Sequence, residues 1–389
     1  MPVTQISSRL IIDRRSCPII FSRGQNRIGG LTPDTTAPFV TVVAPTDGVY
    51  VIQVRETNSG GGDNHVVSQS EGGVGALVVT PKQAFVVANK IEIDRLSSEE
   101  PLSGFAPKSF PWTQPLREAL PKILTGKKFA ADDTLATGLA ALPGDFTSEV
   151  RAQLTENEFR RYKSLGRDCA LVMETVCRQM AVGDSEHQVE ADLARHLLAR
   201  GIQPYVLLVA FDERILRHRH ATPTAKHLRK HAMVVVCGQR GGLIACLTRF
   251  IHFGVVAADI LAKHEAVCRV DVALWEATVP GKAWKDVLKV GLDQYKKEGF
   301  AKEWELHHQG GPTGYAGRDF MATPDEKRVV LDKQAVAWNP SITGTKSEDT
   351  FIVDGDKRVV VTQCSDHWPQ VKVATPKGVT MARPAILVR

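Results

Sequence analysis

From residue 155 onward the apolar positions of TENEFRRYKSLGRDCALVMETVCRQM recur every three and four residues, the period of a helix with one buried face. Thr155, followed three residues later by Glu158, supplies an N-cap and its capping-box partner, so a long amphipathic helix is predicted, stopped by Gly183 and Asp184. SEHQVEADLARHLLARG repeats the pattern with Ser185 as cap and Gly201 as terminator. ILAKHEAVCRVDVALWEAT and AWKDVLKVGLDQYKKEG predict two further helices. Between them PYVLLVAF, MVVVC, GLIACLTRFIHFG, KRVVL, QAVAW, TFIVD and KRVVVTQC are short and β-branched, and predict strands. The expected architecture over 151–389 is α+β, antiparallel strands with helices on one face.

Residues 1–150 are patterned less sharply. Before Gly60, Gly, Pro, Asn and Thr punctuate short bursts such as FVTVVAP and GVYVIQV, and no helix of three turns has clean periodicity. From Gly60 a turn, GGGDN, precedes VGALVVT and QAFVVAN, which flank Pro81, Lys82 and Gln83 as a predicted hairpin. In PLREALPKILTGKK, Leu116, Leu120 and Ile123 share one face of a short helix. A length of 389 residues exceeds one compact core and fits two domains, divided near residue 150.

Composition narrows the class. With 43% hydrophobic and 24% charged residues the chain has enough apolar surface to fold. A net charge of +6, spread without a clustered patch, gives no footprint for nucleic acid. The longest apolar runs, such as GVGALVV, fall short of the roughly 20 residues that cross a bilayer. Asp13, Arg14 and Arg15 interrupt the apolar bursts at the N-terminus, so no secretory signal is expected and the location expected is cytoplasmic. Seven cysteines, odd in number and never spaced as CxxC, point to reduced thiols rather than a disulfide framework.

Five stretches carry more polar and turn-forming residues than packing requires. In RHRHATPTAKHLRKHAM, His218 and His220 would share a face if extended and offer two donors to a metal; a solvated basic loop is the plainer reading. The next two form the hairpin VVVCGQRGGLIACLTRFIHFG, which places Cys237 and Cys246 on neighbouring strands, where two thiols bind a soft metal, oxidise together or simply pack. In WELHHQGGPTGYAGRDF, His307 and His308 end a strand and enter a glycine-rich loop suited to a ligand wall or to a turn. In AWNPSITGTKSEDTFIV, Asn339 ends one strand, and Glu348 precedes an apolar run where an acid needs a partner or a function.

Taken in order, the helix pair after Thr155, the His-Xaa-Xaa-Pro-Thr loop, the GGLIACLTR hairpin, the HHQGGPTG loop and the SEDT strand resemble the pita-bread family of methionine aminopeptidases, Xaa-Pro aminopeptidases, prolidases and creatinase. The resemblance covers residues 155–389, and Gly60 to about Phe105 more thinly as the family's smaller α/β creatinase-like N-terminal domain; residues 1–59 match poorly. It implies a pita-bread C-terminal domain and, in metal-dependent members, five ligands for two metal ions. The positions matching those ligands are Cys237, Cys246, Gly311, Asn339 and Glu348, of which only Glu348 keeps a family donor. The dinuclear centre is therefore expected to be absent and no cofactor is expected; a single zinc on Cys237, Cys246 and Glu348 or a His is the alternative.

Creatinase-like chemistry would make His220 the acid and base, with Glu348 orienting or charging it; His307, His308, Arg318 and Asn339 would bind substrate. Arg249, like Arg318, is expected near the mouth. Asn339 and Thr248 depart from creatinase, which puts guanidino substrates in doubt. The function expected is an Xaa-Pro peptidase-like protein acting as a metal-independent hydrolase of a small amide or peptide. A pseudo-peptidase that binds peptide or protein, and an aminopeptidase with one altered metal site, are the alternatives. The partners expected are a small molecule or short peptide and a second copy of the chain, with Asn64, His65 and Glu71 lining a site in trans or forming only a hydrated turn; nucleic acid and membrane are not expected.

Overall fold

The computed structural model describes residues 8–13, 20–23, 26–27, 39–44, 49–53, 75–79, 83–99, 104–124, 129–131, 137–141 and 151–389. The chain divides into two compact units, Met1–Arg161 and Tyr162–Arg389. The division lies inside the helix Glu156–Gln179, where the sequence pattern put it near residue 150. Asn64, His65, Glu71 and Cys17 lie outside the described residues.

In the first unit, Ser8–Asp13 pairs antiparallel with Ile20–Arg23 and Phe39–Ala44, and Val49–Gln53 joins a six-stranded sheet with five later strands. Gly75–Val79 and Ala84–Asn89 form the expected hairpin, with Leu77 opposite Val86. Ala84–Asn89 then runs parallel to Ala106–Phe110, which requires a crossover; the helix Ile93–Glu99 lies in it. Leu120, on the helix Leu116–Ile123, is fully buried against Val78, Val87 and Phe110, and Leu116 and Ile123 pack on the same cluster.

The helix predicted from Thr155 begins in the first unit and runs into the second. The Thr155 amide donates to Glu158 Oε2 (2.7 Å) and the Glu158 amide to Thr155 Oγ1 (3.3 Å), the reciprocal box read from sequence. Ser185 and Gln188 form a second box at the start of Glu186–Leu198, and Gly201 turns the chain at φ +64°. Helices Ala258–Ala277 and Trp284–Lys297 follow. Strands Gln203–Phe211, His231–Arg240, Leu243–His252 and Leu387–Val388 make one sheet; Gly310–Thr313, Ala335–Trp338, Asp349–Asp354 and Lys357–Val360 make another. Gly241 and Gly242, at φ +57° and +80°, close the long hairpin in a tight turn that positive φ at both positions allows.

Helix Glu156–Gln179 lies close to the second sheet at Gly166. A Cβ there would stand 2.3 Å from the Val361 carbonyl oxygen, so only glycine permits this approach. A core of Trp284, Trp338, Tyr295, Val336 and Phe351 fills the space between the second sheet and its helices.

Three sequence expectations are corrected. KRVVL is not a strand: Val329 makes only an isolated bridge to Ala283. His307 and His308 follow a 3-10 turn, Glu303–Leu306, rather than ending a strand. His218 and His220 are not extended side by side; His218 is an exposed C-cap of the short helix Glu213–Arg217, and the chain beyond it is loop. No helix of the described residues is long and apolar enough to cross a membrane.

Candidate functional site

The site is assembled where the two sheets of the second unit meet. Alternate residues of Leu243–His252 turn their amides away from the hairpin partner: Ile244 N–H donates to Gly314 O (2.8 Å), Cys246 N–H to Thr350 Oγ1 (2.8 Å) and Thr248 N–H to Glu348 O (3.1 Å). These bonds set the hairpin against the start of Asp349–Asp354 and place Thr248 beside Glu348.

Glu348 is buried and fully engaged. Its Oε2 accepts from Thr248 Oγ1 (2.6 Å) and Lys346 Nζ (2.8 Å), and its Oε1 from Arg318 Nη2 (3.3 Å). Arg318 Nη1 donates to Cys246 Sγ (3.4 Å), so one guanidinium bridges Cys246 and Glu348. Burial opposes ionisation of Glu348, but Lys346 and Arg318, with hydrogen bonds from Lys346 and Thr248, outweigh it and hold the carboxyl at about 2. Cys237 and Cys246 stand directly opposite one another in the hairpin register.

Near this cluster three imidazoles converge. His220 Nε2 and His307 Nε2 lie 3.0 Å apart, His307 and His308 stack at 4.5 Å between ring centroids, and ligand atoms of all three fall within 4.8 Å of one another. His220 is exposed, whereas His307 is buried. Burial is the main cause of their lowered pKa values: His307 falls to about 2 with help from Lys346, His308 to about 4 with help from Arg318, and His220 falls in the same direction. All three rings are therefore neutral at pH 7. Buried His307 Nδ1, His308 Nδ1, Arg318 Nε and Asn339 Oδ1 find no hydrogen-bond partner among the described residues, which is costly unless a ligand or solvent supplies one.

The fold thus brings His220, His307, His308, Arg318, Glu348, Cys237 and Cys246 into one neighbourhood. The hydrogen-bond partner of His220 is His307, not Glu348. Arg249 does not join the mouth: it is 1% exposed, and its Nη2 donates to Asp349 (3.0 Å) and to Thr362 O (2.9 Å). Successive residues on extended chain point to opposite sides, so Thr248 reaches the site and Arg249 the core. Lys346 was missed by sequence reading. Its signal was its place two residues before Glu348, which puts both side chains on one side of an extended segment.

The residues present do not fit a pair of hard divalent cations. Gly311 has φ +153°, and a Cβ added there would stand 2.6 Å from the Phe320 carbonyl oxygen, so no imidazole can be grafted at that position without moving backbone. Two thiols, an amide and one carboxylate remain, and the carboxylate already carries two side-chain cations. Nor are Cys237, Cys246 and Glu348 a converging set; among the described residues, three donors suited to a metal meet only at His220, His307 and His308.

No protein-family model matches this sequence, and no curated protein sequence matches it. The fold is similar to Xaa-Pro dipeptidase from Bacillus anthracis, with TM-score 0.68 and 15% identity over 88% of this chain and 95% of that one. It is also similar to the prolidase from Pyrococcus horikoshii OT3, with TM-score 0.67 and 14% identity over 82% of this chain and 95% of that one. The N-terminal domain of FACT complex subunit SPT16 from Cicer arietinum is similar too, with TM-score 0.62 and 11% identity over 82% and 91% of the two chains. The chain therefore has the mixed helix and strand architecture of the pita-bread fold.

Proposed function

We propose that this protein is an Xaa-Pro peptidase-like hydrolase of a small C–N substrate, an amide or short peptide, working without the dinuclear metal centre. The observation that carries the reading is that Arg318 and Lys346 supply fixed positive charge around Glu348 while His220 and His307 share a hydrogen bond nearby. Arg318, with its Nε unpartnered, binds a substrate carboxylate. Neutral His220, the exposed member of the pair, takes a proton from the attacking water and returns it to the leaving nitrogen. His307 positions His220, and Asn339 and His308 meet polar groups of the substrate. Glu348 fixes the two cations.

The test is a screen of dipeptides and small amides on metal-analysed protein, with and without chelator. Chelator-insensitive turnover that falls about 10²-fold or more in His220→Ala is expected. No turnover, together with ligand binding unchanged in His220→Ala, overturns the reading; if peptide binding is retained, the pseudo-peptidase alternative takes its place. A second reading, one zinc on His220, His307 and His308, is favoured by their convergence within 4.8 Å. One equivalent of zinc after native purification, with turnover abolished by chelator, selects it. A homodimer in a cytoplasmic setting belongs to the same proposal, and sedimentation as a monomer removes the dimer.

A further inference from the structure

We propose that Cys237 and Cys246 are a redox modification site, closed by hydrogen peroxide to a cross-strand disulfide that withdraws the sulfur anchor of Arg318. The proposal goes beyond the hydrolase reading and does not depend on it.

The two cysteines occupy opposed positions in the long hairpin. The Cys246 amide donates to Thr350 Oγ1 (2.8 Å) and its carbonyl accepts from the same hydroxyl (2.9 Å), so neither group bonds Cys237 across the ladder. Ile244 and Thr248 likewise send their amides to the other sheet, which fixes the parity. Cys237 and Cys246 are thus a non-hydrogen-bonded pair, the type whose Cα atoms approach to about 4.5 Å. That separation falls within the roughly 4.4–6.8 Å that a disulfide spans. Among the described residues no other two cysteines oppose one another on paired strands. Cys246 is fully buried but Cys237 is only partly so, which leaves an approach for a small oxidant.

The chemistry balances without a further reagent. Cys237 sulfur, the more accessible of the two, attacks one oxygen of the peroxide, the O–O bond breaks, and a sulfenic acid and one water result. Cys246 sulfur then attacks the sulfenic sulfur, the S–S bond forms, and the expelled hydroxide takes the Cys246 proton as a second water. Two electrons pass from the thiols to the peroxide. A disulfide sulfur cannot carry the charge of a thiolate, and closing the bond draws Cys246 Sγ toward Cys237, so the bond from Arg318 Nη1 to Cys246 Sγ is lost and the guanidinium keeps only Glu348 and the adjacent Gly317 carbonyl.

The test treats the full chain with hydrogen peroxide and maps the products by peptide mass. A peptide linking Cys237 to Cys246, lighter by two hydrogens and restored by dithiothreitol, is expected to form at least about tenfold faster than any product at buried Cys268. Amides of Gly317–Phe320 are expected to exchange at least about threefold faster in the oxidised protein, and the Cys237→Ser variant to show no such change. Two thiols that remain alkylatable after peroxide, or either cysteine carried to sulfinic acid without a link, overturn the site. A disulfide that leaves exchange at Gly317–Phe320 unaltered overturns the release of Arg318.

Discussion

Glu348 and Asp349 are adjacent in sequence, both are buried, and both are paired with an arginine, yet their surroundings differ. Asp349 meets one arginine directly: Arg249 Nη2 stands at 3.0 Å and Thr362 Oγ1 donates at 2.8 Å. There burial prevails over Arg249, and the Asp349 pKa is raised. Glu348 meets two cations, Arg318 and Lys346, and falls to about 2. One cation per carboxylate gives a closed structural pair; two leave a net positive charge beside three neutral imidazoles. The Arg249–Asp349 pair locks the fold, and the cluster around Glu348 keeps charge that an anionic ligand can use.

Acid should break the comparison most strongly. His307 and His308 titrate at about 2 and 4 in the folded state against about 6.5 unfolded. The unfolded chain therefore binds more protons in between, so this stability is present above pH 6.5 and is lost as pH falls toward the folded values. Together the two rings should cost roughly 5 kcal/mol between pH 6.5 and 4.5, measured by urea unfolding; His307→Gln and His308→Gln should flatten the slope. Unchanged slopes would mean that the rings are not sequestered as described.

Next in size is Arg249→Met, which leaves Asp349 buried and unpaired and should cost about 3–5 kcal/mol, with Arg249→Met/Asp349→Leu recovering much of it. A loss below about 1 kcal/mol would show that the pair is not structural. Lys346→Met should cost less, about 1.5–3 kcal/mol, because Arg318 and Thr248 still serve Glu348. It should also lower turnover where Arg249→Met, in folded protein, does not. Thr248→Val, removing one hydrogen bond to the carboxylate, should be mildest at about 1 kcal/mol.

Local chemistry is legible in the residues themselves. The Thr155–Glu158 box and the Ser185 cap are rules of a single turn, and the hairpin with Cys237 against Cys246 follows from Gly241-Gly242 and two β-branched runs. Orientation is not. Arg249 was expected at the mouth because only the register between Leu243–His252 and Asp349–Asp354 says which of two successive side chains faces the cleft. KRVVL has strand propensity but lacks a neighbouring strand to complete a ladder, so it stays a bridged loop.

From the order of residues alone came the helices and most of the strands, their caps, and the likeness to the pita-bread arrangement. Those depend on neighbours within a few positions, or on residue identity itself. Folding decided that His220 meets His307 rather than His218, that Lys346 joins Arg318 on Glu348, and that Asp349 is turned away to Arg249. Apart from the Lys346–Glu348 pair, such choices rest on contacts between segments 30 to 100 residues apart, whose facing is fixed by strand register and burial, neither of which a linear pattern contains.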